Sequence, residues 1–278
     1  MRIITDSAAD LTAEELRDWG VECVRTQVVL GGRSFTPGLD LMAEELWARL
    51  MAREVAKTSQ PAPVAFLEAF QAAKEAGEEA VCLCVSSGVS GTIQSARLAA
   101  AMCEWDGIHV VDTLSGTAGQ KLLVLQACRL REKGLSAAEV AAELEKLRSR
   151  VRLLAGIDTL EFLARSGRIP KALASLGALT RLKPLLEVSP EGKLVLGGKA
   201  FGIHRAISGL ARRMEEIKAD PAYPVFPLYS YAQSNCAALV KKLADKGVKV
   251  SGEYCAIGPS IAPHIGPNAY GVAFVAAE

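Results

Sequence analysis

Aromatic side chains are scarce in this chain: Phe, Trp and Tyr together make 5% of its 278 positions, while hydrophobic residues make 50%. Cores and any pocket must therefore be lined by Ala, Val, Leu and Ile, which suits a flexible aliphatic guest better than stacked bases. Excess charge is missing as well. The 32 basic residues face 31 acidic ones, the formal net charge is +1, and no long block of one sign occurs, so the electrostatic footprint of nucleic-acid binding is absent. The cluster Arg148, Arg150 and Arg152 reads as a solvated patch. No apolar stretch approaches the ~20 residues of a membrane span. The opening MRIITDSAAD turns polar too early for a signal peptide, and these features together predict a cytoplasmic protein.

A disulfide framework is also missing. Seven cysteines are an odd number, they lie mostly within apolar stretches, and a chain of this size needs no staples, so they read as reduced, buried thiols. Cys82 and Cys84 face the same way on a predicted strand, but one Cys-x-Cys without a second ligand pair makes no zinc site, and no metal is expected. The phosphate-loop pattern Gly-x-x-x-x-Gly-Lys-Ser/Thr and the dinucleotide pattern Gly-x-Gly-x-x-Gly do not occur either. Both omissions argue against nucleotide binding.

What is present is a βαβ rhythm. RIIT, LTAEELRDWG, VECVRTQVVL, AVCLCV, a helix from Thr92, IHVVD and a helix from Gly116 to Lys133 alternate as strands and helices. Loops at the carboxyl ends of parallel strands gather on one rim, which would bring TDSAAD (5 to 10), SSGVSGT (86 to 92) and VDTLSGT (111 to 117) together where open α/β sheets bind ligands. After an amphipathic helix at 136 to 150 a second series begins, with the hairpin LLEVSPEGKLVLGGK, a helix near 203 to 219, the strand VFPLYSYA, the helix SNCAALVKKLADKG, and the final strands VSGEYCAI and GVAFVAAE. The predicted fold is α/β with two domains: residues 1–155, built on a parallel sheet, and residues 156–278, mixed α/β, with the ligand between them. GPSIAPHIGPNAYG is expected to be an irregular loop.

Four serines and two glycines in SSGVSGTIQSA (86 to 96) raise the possibility of a nucleophile. The elbow Gly-x-Ser-x-Gly is only half met by Gly88-Val89-Ser90-Gly91-Thr92. A triad of Ser90, His264 and Asp6 or Asp112 would make a serine hydrolase or acyltransferase, the alternative reading. Otherwise Ser90 is the expected N-cap of a helix whose amino terminus receives a small anion. In KTSQPAP (57 to 63), Thr58 or Ser59 is expected to cap a proline-led helix, or to face the same ligand as Ser90. His109 and His204 read as structural or surface groups. His264, set in PHIGP, is the histidine that could donate a hydrogen bond to a carboxylate. Arg165 and Arg168 precede a stretch from Leu173 to Leu182 that is apolar almost all round and predicts a buried helix.

TDSAADL, KTSQPAP, SSGVSGTIQSA, VVDTLSG, LEFLARSGRIPKA with LKPLLEV, and HIGPNAYGVAF together resemble the DegV family of fatty-acid-binding proteins, in order and over nearly the whole chain. The resemblance implies a long-chain fatty acid in a tunnel between two α/β domains and no other cofactor. Its carboxylate would be held by Thr58 and Ser90, with Ser59, the Gly91 N–H and His264 close by. It also implies a carrier without catalytic residues of its own, which presents the acid to a separate fatty acid kinase for phospholipid synthesis. The chain departs from the family at AFGIHRAISGL, where members often carry a basic stretch, and at Asn268, where glycine is common. A head group held by neutral hydroxyls with no arginine nearby is expected to have its carboxyl pKa raised by desolvation.

Overall fold

Fully apolar runs have to be buried on both faces, and in the computed structural model they form the middle of a parallel sheet. The structure describes residues 1–170, 182–250 and 253–278. The first part runs β1 (Arg2–Asp6), a 3-10 turn (Ser7–Ala9), α1 (Ala13–Trp19), β2 (Val21–Val24), β3 (Gln27–Leu30), β4 (Arg33–Phe35), α2 (Ala43–Met51), β5 (Ala56–Ser59), α3 (Pro63–Glu75), β6 (Ala80–Cys84), α4 (Thr92–Cys103), β7 (Ile108–Asp112), α5 (Thr117–Glu132) and α6 (Ala137–Arg148). The second part runs β8 (Val151–Gly156), α7 (Glu161–Ser166), β9 (Leu182–Val188), β10 (Leu194–Phe201), α8 (Ile203–Ile217), β11 (Phe226–Tyr229), α9 (Ser234–Ala244), β12 (Cys255–Ala256), α10 (Ala262–Ile265) and β13 (Tyr270–Val275).

The first sheet has the order β2-β1-β6-β7 and is parallel throughout. Every residue of β6 is buried, as a central strand between two helix layers requires. The second sheet, β10-β9-β8-β13-β11-β12, is antiparallel except at β11 and β12. The fold is therefore the expected mixed α/β arrangement of two units. The chain passes from the first sheet to the second between α6 and β8. Capping boxes fix the starts of α1 (Thr12 with Glu15) and α6 (Ser136 with Glu139).

Three expectations are corrected. VECVRTQVVL is two strands: the Thr26 N–H goes to Ser7 Oγ at 2.9 Å, and the chain leaves the first sheet after Val24 to join a small antiparallel sheet, β4-β3-β5. GPSIAPHIGPNAYG contains a helical turn, α10, with Pro263 in its first turn and Gly266 (φ +74°) ending it. Thr58 and Ser59 cap no helix. They lie on β5, and the N-cap of α3 is Ala62, with Pro63 just inside. The apolar stretch expected to form a helix from Leu173 lies outside the described residues, apart from Leu182, which opens β9 and is buried.

One helix belongs to both units. Eleven of the 16 residues of α5 are buried, and it packs against β1 and β6 of the first sheet and β8, β11 and β13 of the second. Leu122, Leu123 and Val124 share one apolar cluster with Ile3 and Leu83 on one side and Leu153, Phe226 and Ala273 on the other. Lys121 reinforces the junction: it is buried, pairs with Glu15, and lies 6.0 Å from the Trp19 ring centre and 5.5 Å from that of Phe226.

Leu123→Ala removes a fully buried side chain from this shared layer and should cost about 2–5 kcal/mol. Urea unfolding checks it, with tryptophan fluorescence reporting on the first unit through Trp19, Trp47 and Trp105 and far-ultraviolet circular dichroism reporting on the whole chain. Both midpoints should fall together. A shift in fluorescence alone would show that α5 does not couple the units.

Candidate functional site

The three carboxyl-end loops meet where the second sheet covers them, and they enclose a cavity of about 330 Å³. Ala8, Ser86 to Val89 and Ser115 to Thr117 come from the predicted rim, although of 86 to 89 only Ser86 and Val89 line the space directly. Its opposite wall is one face of the second sheet, with Leu153, Ala155, Leu186, Val188 and Leu228 pointing inward. The wall is aliphatic.

Thr58, Ser59, Ser90, Gly91 and His264 all line this cavity. The structure brings Thr58 and His264 into direct contact, with Oγ1 2.7 Å from Nε2. They come from β5 and α10, 206 residues apart, so the small sheet of residues 27–59 is what delivers the threonine. Ser90 lies two residues before the start of α4, one ahead of its N-cap. The N-cap is Gly91, which makes no side-chain cap. The Ser90 hydroxyl instead accepts from the Thr92 N–H at 3.3 Å and shares a hydrogen bond with the Thr92 hydroxyl at 2.9 Å. The expected cap is thus displaced by one position, because the turn spends the serine oxygen on the residue just after the cap. Gly91 itself has no left-handed backbone, but a Cβ there would sit 2.0 Å from Gln60 Oε1. Gln60 in turn donates to Ser95 Oγ at 2.9 Å, tying the end of β5 to α4.

His264 is buried, and burial together with the Arg168 guanidinium pushes its pKa down to about 4. It is a neutral imidazole at physiological pH. Its Nδ1 has no hydrogen-bond partner among the described residues. If the proton sits on Nε2, His264 donates to Thr58 Oγ1, and the threonine hydroxyl hydrogen is left to donate into the cavity. The hydrogen bonds of a Ser–His–Asp relay are not made: the imidazole touches Thr58 rather than Ser90. Asp6 accepts from the Ala8 and Val85 N–H groups and from Gln120, and Asp112 accepts from Ser87 and Leu114.

Arg168 also lines the cavity, half-buried, so the expectation of a site without an arginine is overturned. The guanidinium donates to Ser166 O at 2.6 Å, and burial lowers its pKa. The sequence picks out Arg168 only as a neighbour of an apolar stretch; Gly167, in the left-handed conformation (φ +73°), ends α7 and turns the arginine inward. Asn268 takes the left-handed conformation (φ +62°) that its place in a glycine position predicts, and its amide reaches Asp158 at 2.9 Å. Among the described residues no cluster of His, Cys, Asp and Glu is arranged to hold a metal, and no helix is long and apolar enough to cross a membrane.

Residues 1–277 match the family described as "Uncharacterised protein, DegV family". The chain is 36% identical over 275 residues to a DegV domain-containing protein of Deinococcus radiodurans, covering 98% of this chain and 96% of that one. Its fold is similar to that of a DegV family protein from Thermus thermophilus described by its fatty acid binding, at 32% identity, with full coverage of both chains and a TM-score of 0.89. It is equally similar in fold to a stearic-acid-binding protein from Eubacterium ventriosum, at 26% identity, covering 99% and 98% of the two chains, with a TM-score of 0.89.

The support behind the rim loops titrates. Burial raises the Asp6 pKa from 3.8 to about 6 despite the three hydrogen bonds it accepts. A raised carboxyl pKa means that the ionised form is disfavoured in the folded state, so this group's contribution to stability grows as pH falls through 6 and is complete below the unfolded value. His264, with its lowered pKa, works in the opposite direction. The difference between wild type and Asp6→Asn isolates the carboxyl: in urea unfolding it should move in favour of wild type by up to about 3 kcal/mol as pH falls from about 7 to 4. A pH-independent difference would show that Asp6 titrates normally.

Proposed function

The chain belongs to the DegV family, and from that premise we propose that it binds a long-chain fatty acid in the cavity between its two units, with the carboxylate at Thr58 and Ser90. The observation that carries the reading is the cavity itself: an aliphatic sheet face on one side, and on the other a cluster of hydroxyls at a helix amino terminus. Thr58, Ser90, Ser59, the Gly91 N–H and His264 form the head-group end. The second unit, from about residue 156 in the two-domain division, covers the acyl chain.

The energetics suit a carrier. Burying about 14 methylenes at roughly 0.8 kcal/mol each gives about 11 kcal/mol gross, whereas each hydrogen bond to a charged group adds about 1.5–3 kcal/mol. Ordering and association subtract at least about 4 kcal/mol. The tail supplies affinity and the head fixes direction. Arg168 changes the expected charge state: a guanidinium on the cavity wall, with the positive end of the α4 dipole, favours the ionised carboxylate.

Presentation of the bound acid to a separate kinase, or to another acyl-using partner, completes the reading as a carrier with no chemistry of its own. The surface around Phe201, which is 56% exposed, with His204 and Arg205 exposed beside it, is where this chain departs from the family's basic stretch. Any partner docking there meets less positive charge than in other members.

Native mass spectrometry of the purified protein, with identification of the lipid released on denaturation, should find one fatty acid per chain. Thr58→Val and Ser90→Ala should each weaken retention by roughly 10- to 100-fold with the fold intact by circular dichroism. A protein that carries no lipid and binds none when fatty acid is added contradicts the reading. Turnover of an ester probe, lost on Ser90→Ala, would support the hydrolase instead. With 13C-carboxyl-labelled fatty acid bound, the NMR titration of wild type should give a carboxyl pKa at or below the aqueous value, and Arg168→Gln should raise it; a raised value in wild type would return the site to the arginine-free expectation.

A further inference from the structure

Helix α10 has only four residues, Ala262–Ile265, too few to hold its own position, yet it carries the imidazole that meets Thr58. What fixes it lies just before it. Ser260, 5% exposed and on the cavity wall, has its hydroxyl 2.6 Å from Thr26 Oγ1 and 2.8 Å from Ser7 Oγ. Those two hydroxyls are 3.0 Å from each other, and the Thr26 N–H donates to Ser7 Oγ at 2.9 Å. The three oxygens form a closed triangle in which each hydroxyl can donate to the next. Two corners belong to the first unit and one to the second. The other end of the same turn is also seated on the first unit: a Cβ on Gly258 would lie 2.7 Å from Asp10 Oδ1, so a side chain there would have to displace the Asp10 carboxyl group. Backbone hydrogen bonds then carry the placement forward, from Ile261 and Ala262 to Gly258 O and from His264 to Ile261 O.

We propose that Ser260 is a positioning residue for the head-group site: through the Ser7–Thr26–Ser260 triangle it sets where His264 stands against Thr58, so that the site is assembled only when the two units are closed on each other. This rests on the fatty-acid reading for its functional meaning, but not for its geometry. The triangle spends its three hydroxyl hydrogens on itself, so it has no donor left to give a carboxylate. Its role is therefore to hold the turn, while Thr58, when His264 donates to it from Nε2, keeps its hydroxyl hydrogen for the ligand.

The test follows His264 directly, by the 15N and 1H NMR of its ring in full-length protein stripped of lipid, across pH. In wild type the ring should titrate near its lowered value of about 4. Ser260→Ala should raise this by at least about one pH unit as the ring escapes its buried place beside Arg168, and should speed release of 13C-labelled palmitate several-fold. Thr26→Val removes a different corner and keeps the buried volume, so it serves if Ser260→Ala proves unstable; the double variant should move His264 no further than Ser260→Ala alone, because both break one triangle. Ser260→Thr, which keeps the hydroxyl, should restore the ring's titration. An unmoved His264 in both Ser260→Ala and Thr26→Val, folded by circular dichroism, overturns the proposal. Wild-type protein that binds no palmitate while His264 still responds overturns the fatty-acid reading and leaves the positioning role standing.

Discussion

The constraint on which this molecule depends is the seam between its two units. On one side the units share α5, buried almost all round, and that contact is apolar and strong. On the other side, among the described residues, the side-chain hydrogen bonds that join residues 1–148 to residues 151–278 are Ser7 to Ser260, Thr26 to Ser260, Thr58 to His264, and Ser86 to the carbonyl of Gly192 at 2.7 Å. Each joins neutral groups, and no ion pair between described residues crosses there. Neutral hydrogen bonds contribute about 0.5–1.5 kcal/mol each, so the seam is the weak side and α5 the strong one. The cavity lies between them. A ligand that fills the cavity touches both units and adds to the closure of the seam in proportion to the apolar surface it buries.

Close approach makes the hydroxyl contacts possible. At the tip of the β9–β10 hairpin, a Cβ on Gly88 would lie 2.6 Å from Gly192 O, and one on Gly192 would lie 2.0 Å from Ser86 Oγ. Gly192 also needs its left-handed backbone (φ +74°). The serine-rich loop therefore has a use apart from the proposed head-group site: its Gly88 lets the second unit come down on it, and Ser86 marks the contact.

The sheets and most helices are legible in the sequence because their signals are local: buried runs such as AVCLC, capping boxes at Thr12 and Ser136, and the Pro-Glu-Gly turn of the hairpin. Thr58, Ser90 and His264 are legible as candidates because hydroxyls and a histidine among Gly and Pro are unusual. What is not legible is how they meet. The VECVRTQVVL run looks continuous, and only the hydrogen bond from Thr26 to Ser7 shows where it changes sheets. With that change comes the small sheet that carries Thr58, and its pairing of Val28 with Thr58 spans a segment without a strong periodic signal. Arg168 and Ser260 escape for the same reason: their meaning lies in partners far along the chain or across the seam. Propensity acts over a few residues, whereas these contacts depend on the closure of two units.

Charge placement around the cavity decides which groups are left for a ligand. Two carboxylates stand behind the rim loops, and both are spent on backbone N–H groups: Asp6 on Ala8 and Val85, Asp112 on Ser87 and Leu114. Neither carboxylate lines the cavity, and each braces its loop through the backbone N–H groups it accepts from. The Gly91 N–H has no acceptor among the described residues, and it stands at the amino end of a 12-residue helix. Under the proposed fatty-acid reading, a negative head group would meet its donors at Gly91, Ser90 and Thr58, which line the cavity together with Arg168. Burial holds the Asp6 pKa at about 6, so close to neutrality this brace carries less than a full negative charge, and repulsion towards an anion in the cavity is reduced accordingly. The bracing thus fixes the loop geometry, and the cost of burying a carboxylate there falls on Asp6.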